Sequence, residues 1–310
     1  MRKTWQDYGR EWLDTLVVAI SVAMAFRAYF YEPFNIPTGS MRPTLYGNHF
    51  EPCEKPGVFD TAPVIRWVQW LFTGRDYKEL KAGKASRLQL IPRRDGREQL
   101  VLKDAYGRVT ESIAVPTDTP INPSVQLRRA TGFNGAEASV SAGTVICRGY
   151  DVTGDFIFVN RWLWNWRKPH RGEVMIFSTT SDQLQANGLE AGTHYIKRMM
   201  GTPGEKLEIS NGLLYVNGVE TKYDKPVGAR GEEPKMLVTA PEESVRLNDA
   251  DWKRGVYQLK DDEYFAAGDN SYPANNSFDS RYWGGVPAEN LRGVASIVFW
   301  PFNPRWGNIK

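Results

Sequence analysis

Beyond residue 150 the chain carries short runs of apolar, β-branched and aromatic residues, several alternating with polar ones, separated by glycine and proline. This pattern predicts strands over 155–160 (DFIFVN), 173–177 (EVMIF), 194–200, 206–209, 213–216 and 295–300. Asn211-Gly212 and Asn217-Gly218 are tight-turn signals between such runs. No sustained helical periodicity and no fixed repeat is present, so the body reads as mainly β, built of long twisted hairpins. Residues 49–150 read as a separate, inserted subdomain, with strands over 88–91, 99–103 and 109–115 and a loop over 116–123. Within it, 64–72 (VIRWVQWLF) is aromatic and apolar but too short to cross a bilayer. It reads as a packed helix rather than a membrane contact.

One uncharged apolar run precedes this body. Residues 15–26 (TLVVAISVAMAF) lie between Asp14 and Arg27. Twelve helical residues cover roughly 18 Å, short of a ~30 Å hydrocarbon core. Read alone, the run fits the apolar part of a secretory signal, with Ala23-Met24-Ala25 as a small-x-small cleavage pattern. Extended over 12–31 it is long enough to span, with Trp5, Trp12, Tyr29 and Tyr31 as interfacial aromatics. Arg2, Lys3 and Arg10 on one flank against Arg27 and Arg42 on the other favour an N-terminus inside and an exported body. Both readings export the body.

Composition narrows the classes. The 310 residues hold 39 Lys and Arg against 36 Asp and Glu, a net charge of +3 with no basic cluster, which gives no case for nucleic-acid binding. Trp162, Trp164 and Trp166 alternate around Asn165, serving either a lipid-facing surface or the core. The two cysteines, Cys53 and Cys147, have no CxxC neighbour. In an exported segment they either pair across the insertion or remain two free thiols. His49, His170 and His194 are too scattered for a metal cluster.

Three blocks then stand out in order. The first is Ile36-Pro37-Thr38-Gly39-Ser40-Met41-Arg42-Pro43-Thr44-Leu45, just after the apolar run. The second is Tyr195-Ile196-Lys197-Arg198, with glycines and a proline following to 204. The third is Gly268-Asp269-Asn270 followed by Ser277-Phe278-Asp279-Ser280-Arg281. A serine hydroxyl needs a neighbouring base to take its proton. A lysine serves if it is neutral, and apolar burial disfavours its charged form. On a strand, Lys197 shares a face with Tyr195 and Met199. Arg198 is no substitute, because a guanidinium does not deprotonate.

Together the blocks resemble the bacterial type I signal peptidases, membrane-anchored serine proteases with a Ser-Lys dyad, over residues 11–48 and 151–302. The resemblance implies a transmembrane helix followed by a signal-peptidase-like all-β catalytic domain with a large β-rich insertion. The expected division is a tail and anchor over 1–31, a catalytic domain from 32–48 and 151–310, and the insertion over 49–150. It casts Ser40 as nucleophile and Lys197 as general base. The oxyanion would sit on the Ser40 N–H and the hydroxyl of Thr38, where the family more often has serine. Ser277 would orient the lysine, with Asp279 and Arg281 as a supporting ion pair and Asp269 opening the third block. Six residues (SYPANN) separate Asn270 from Ser277, where the family spacing is shorter. Phe34, Ile36, Pro37, Met41, Tyr195 and Ile196 would line small apolar substrate pockets. No cofactor and no metal is implied. The expected partners are signal peptides of secreted preproteins and the phospholipid membrane. The expected location is the inner, cytoplasmic membrane, single-pass with the N-terminus cytoplasmic. The rivals are a non-catalytic membrane-anchored β-domain adaptor and a self-cleaving Ser-Lys protein of related fold.

Overall fold

The computed structural model describes residues 5–57, 60, 62–92, 97–116, 137–221, 238–271 and 277–309. Helix α1, Trp5–Tyr29, opens the chain and stands clear of the body. Within it, Tyr8–Tyr29 has the length and apolarity to cross a membrane: 22 residues at a rise of ~1.5 Å cover about 33 Å. The helix stops two residues short of the expected span, because Tyr31 already begins a strand that pairs with Asn160.

That strand, Tyr31–Asn35, edges an eight-stranded antiparallel sheet. It is followed across the sheet by Phe156–Asn160, Leu291–Trp300, Val174–Ser178, His194–Gly201, Glu263–Ala267 and Val286–Pro287, with Gly307–Asn308 added to the long strand. The mainly β reading holds. The Leu291–Trp300 strand starts four residues before its expected onset at 295, running through Gly293. A Cβ there would lie 2.5 Å from the Asn160 carbonyl oxygen, so this glycine permits close strand approach rather than ending the strand. A second sheet of Val219–Glu220, Leu213–Val216, Lys206–Ser210 and Val256–Gln258 carries the two predicted turns, with Asn211 and Asn217 at φ 50° and 51°. The short helices Asp182–Ala186, Ala250–Lys253 and Ser280–Trp283 escape sequence reading, since a single turn shows no period.

Residues 49–152 contribute two further sheets. Val145–Val152 lies between His49–Pro52 and Arg75–Lys81. Arg97–Lys103 and Ser86–Pro92 are flanked by Val109–Pro116 and Glu137–Val140. They share a core of Phe50, Leu80, Leu88, Leu100, Leu102 and Val115, which also buries Cys147. Cys53 and Cys147 are free thiols, which removes the pairing alternative. The loop expected over 116–123 lies, past Pro116, outside the described residues. The helix predicted in this region is α2, Pro63–Thr73, and it corrects the expectation of a packed helix, because none of its residues is buried.

Candidate active site

The loop after Tyr31–Asn35 is pinned from several sides. Ile36 N donates to Asp155 O at 2.9 Å and Asn48 N to Pro37 O at 3.2 Å. Ile36, Met41 and Leu45 are buried against Ile157, Val159, Ile176 and Val298 of the large sheet. Two glycines make the fold-back possible. A Cβ on Gly47 would fall within 2.5 Å of the Thr38 backbone, and one on Gly154 would fall 2.0 Å from Ile36 O. Beneath the loop, fully buried Asp155 accepts from Tyr46 N and takes two 2.8 Å bonds from Arg305. These contacts hold Ser40 at the apex of a rigid turn.

Lys197 arrives from the His194–Gly201 strand, whose flanking strands bury it. Its cross-strand partner is Met175, and Tyr195 and Met199 flank it on the same face, giving the apolar surroundings expected of the period-two pattern. Lys197 Nζ lies 2.7 Å from Ser40 Oγ across 157 positions of sequence. Both residues are buried.

A third segment closes behind this pair. The Ser277 hydroxyl donates to Asp279 Oδ2 at 2.7 Å, and Gly268 N donates to the same oxygen at 3.0 Å. Arg281 meets Asp279 with both ends of its fork, Nε to Oδ1 at 2.7 Å and Nη2 to Oδ2 at 2.8 Å. Neither residue has solvent exposure. Burial pushes the Asp279 carboxyl up, but the Arg281 guanidinium and the Gly268 N–H together hold it below the usual carboxylate range. Asp269 belongs to a second buried pair, with Arg198, whose Nε and Nη2 lie 2.8 and 2.6 Å from its carboxylate. Thr44 donates to Asp269 as well. The strand alternation that sends Lys197 to Ser40 thus sends Arg198 to the far side, under the Ser40 loop.

Thr38 is exposed in the turn before Ser40, and its hydroxyl engages no hydrogen bond among the described residues. The six expected pocket residues do not share one surface. Ile36 and Met41 are buried in the core, Phe34 and Ile196 pack against that same cluster, and Pro37 is exposed. Tyr195 lies on the opposite sheet face from Ile196, stacked on Phe177 at 5.8 Å. Residues 272–276, most of the stretch between Asn270 and Ser277, lie outside the described residues.

Two residues of the site received no role from the sequence, although they stand in one of its blocks. Asn270 clamps the turn, its N–H donating to Ser40 O at 3.0 Å and its Nδ2 to Gly39 O at 3.1 Å. Gly268 fits where any side chain would clash: a Cβ would lie 2.2 Å from Ser277 Oγ and 2.5 Å from Ser40 O. Both sit in the Gly-Asp-Asn block, the signal that could have flagged them. No cluster of metal-ligating side chains occurs among the described residues.

The family model described as signal peptidase, peptidase S26, matches residues 151–300, the segment that supplies Lys197, Ser277, Asp279 and Arg281. Signal peptidase I P of Bacillus subtilis subsp. natto is 31% identical over 153 residues, which cover 49% of this chain and 70% of that protein. The chain belongs to the signal peptidase S26 family. Another relative, the probable signal peptidase I-2 of Synechocystis sp., is 35% identical over 153 residues, 49% of this chain and 58% of that protein. The chain thus spans less than two thirds of the Synechocystis family member. A crystal structure of a signal peptidase I from Enterococcus faecalis aligns at 27% identity, covering 42% of this chain and 98% of its own, with a TM-score of 0.30.

Proposed function

We propose that this chain is a membrane-anchored serine endopeptidase that removes N-terminal signal peptides from exported preproteins. The observation that carries the reading is the 2.7 Å approach of Lys197 Nζ to Ser40 Oγ inside a buried, apolar setting. Ser40 Oγ attacks the scissile carbonyl carbon while the neutral Lys197 amine takes its proton. The developing oxyanion is stabilised by the Ser40 N–H and the Thr38 hydroxyl, neither engaged by a partner among the described residues. The lysine returns the proton to the leaving amine as the carbon–nitrogen bond breaks, leaving an ester on Ser40. Water, deprotonated by the same lysine, then hydrolyses that ester and restores the hydroxyl. Ser277, Asp279, Arg281 and Asp269 act as positioning residues, since they reach the reacting atoms only through Lys197, Gly268 and the Ser40 turn. Lining by Phe34, Pro37 and Ile196 would admit small apolar side chains next to the cut.

Helix α1 holds the body at the membrane where a signal peptide's own apolar stretch lies. The proposed topology places the N-terminus in the cytoplasm and the body on the exported face of the cytoplasmic membrane.

The test is cleavage of a preprotein by the detergent-solubilised full chain. Ser40→Ala and Lys197→Ala should each fall to background, and the double variant should be little worse, because members of one catalytic unit are not additive. Lys197→Arg should be as inactive as Lys197→Ala, keeping the charge but offering no base. Cleavage by either alanine variant at the wild-type rate would show that the dyad does not do the chemistry, and an inactive wild type would favour the adaptor.

A further inference from the structure

Helix α2 presents its faces in reverse. Arg66, Gln69 and Thr73, at i, i+3 and i+7, share one side, and these are the half-buried residues of the helix. Arg66 Nε bonds Asp76 Oδ1 at 2.8 Å. Gln69, with Ile65 and Val68 next to it, lines a cleft of about 360 Å³ together with Asp60 and Tyr150 of the body. The opposite side carries Val64, Trp67 and Leu71, which are 75%, 59% and 40% exposed, with Phe72 beside them at 54%. A helix on a water-facing surface does the opposite, turning its apolar stripe to the core. Nor is α2 loosely attached: Trp300 Nε1 donates to Leu71 O at 2.6 Å, and Gly74, in the left-handed conformation at φ 69°, caps the helix through Trp70 O. The outward apolar face is therefore built in.

What covers this face is indicated by continuity. An unbroken series of ring contacts, 4.2 to 6.2 Å between centroids, runs from Phe26 of α1 through Tyr31, Phe158, Phe299, Phe156 and Trp300 to Trp70 of α2. One aromatic surface joins the foot of the membrane-length helix to the inverted one. The only charged side chain of α2 is Arg66, already turned to Asp76. At 11 residues, about 16 Å, α2 is too short to cross and long enough to lie flat. Trp67, on the outward side, is a side chain that favours the headgroup boundary.

We propose that α2 lies in the bilayer interface as a second membrane contact, its Val64–Trp67–Leu71 side sunk into the acyl-chain boundary of the same leaflet that α1 enters. A single spanning helix leaves the body free to swivel about the helix axis. A second contact displaced across the sheet removes that freedom and sets the height and tilt at which Ser40 meets a substrate. This gives the inserted region a role. It rests on α1 being membrane-embedded, and the experiment separates the two.

Single cysteines at Val22, Val64, Leu71, Gln69 and Val219 would be placed in the full chain with Cys53→Ser, the buried Cys147 being left in place. Each would be labelled with a polarity-sensitive fluorophore and reconstituted into phosphatidylcholine–phosphatidylglycerol vesicles containing nitroxide-labelled lipid. Retained far-ultraviolet dichroism checks the fold; positions 22, 64, 71 and 219 are exposed and 69 is half-buried. The expected result is lipid quenching and a blue shift at 22, 64 and 71, with little of either at 69 and 219. Quenching at 22 without quenching at 64 and 71 overturns this inference and leaves the anchor standing. No quenching at 22 overturns both. Protection of 64 and 71 from aqueous iodide without lipid quenching means that a protein, or a second copy of the chain, covers α2, and likewise overturns the proposal.

Discussion

Replacing Arg281 with alanine would leave the Asp279 carboxylate buried without its guanidinium. The structure puts both fork contacts, 2.7 and 2.8 Å, in a site without solvent exposure, and the same guanidinium also bonds the carbonyls of Val238 at 2.7 Å and of Ser271 and Ser277 at 3.2 Å. Breaking a buried pair from one side costs about 3–5 kcal/mol, since the remaining charge cannot be solvated. Removing both charges with Asp279→Asn and Arg281→Met should cost less than the single change, because no uncompensated ion remains. The assay is urea unfolding of the full chain in detergent, followed by tryptophan fluorescence and dichroism, with fully buried Trp283 two residues from the pair as a reporter. The pH dependence has a definite sign. The folded Asp279 pKa is depressed, so the pair's contribution is present above the unfolded carboxylate value of ~3.9 and is lost as pH falls through the folded value. The gap between wild type and Arg281→Ala should therefore be full at neutral pH and shrink under acid. A cost below ~1 kcal/mol at neutral pH, the range of an exposed pair, would refute the dependence of the carboxylate on Arg281.

Gly268→Ala should lower kcat by ~10²-fold in preprotein cleavage, because its methyl group must displace the Ser40 carbonyl by more than a flexible side chain could absorb. Asn270→Ala removes only the side-chain half of the clamp on Gly39, so urea unfolding should show a loss of about 1 kcal/mol, and a larger loss would mean that the backbone bond fails with it. Thiol titration should find two free thiols in denatured, unreduced protein. In the native protein Cys147 should lag far behind Cys53, because burial pushes its thiol up to about 12, and equal rates would contradict the packing of the inserted sheets.

Four strands of the large sheet, Phe156–Asn160, Val174–Ser178, His194–Gly201 and Leu291–Trp300, were legible as short apolar or alternating runs, and the turns because Asn-Gly at positive φ has few substitutes. Tyr31–Asn35, whose first residue also ends the apolar span, and Glu263–Ala267, Val286–Pro287 and Gly307–Asn308 were not. The N-terminal helix was legible from a different signal, a continuous apolar run whose backbone groups a helix satisfies within the segment. Ser40 and Lys197 were legible only as members of ordered blocks, since nothing local to either predicts a meeting across 157 residues. Register decided what sequence could not. It turned Lys197 toward Ser40 and Arg198 toward Asp269, while the turn after Leu291–Trp300 brought Arg305 onto Asp155 across 150 positions. Helix α2 marks the boundary most clearly. Its sequence declares two faces, but a hydrophobic pattern carries no information about which solvent, water or lipid, lies outside. Only the tertiary contacts of Arg66, Gln69 and Trp70, which occupy the polar side against the body, settled that its apolar side points away.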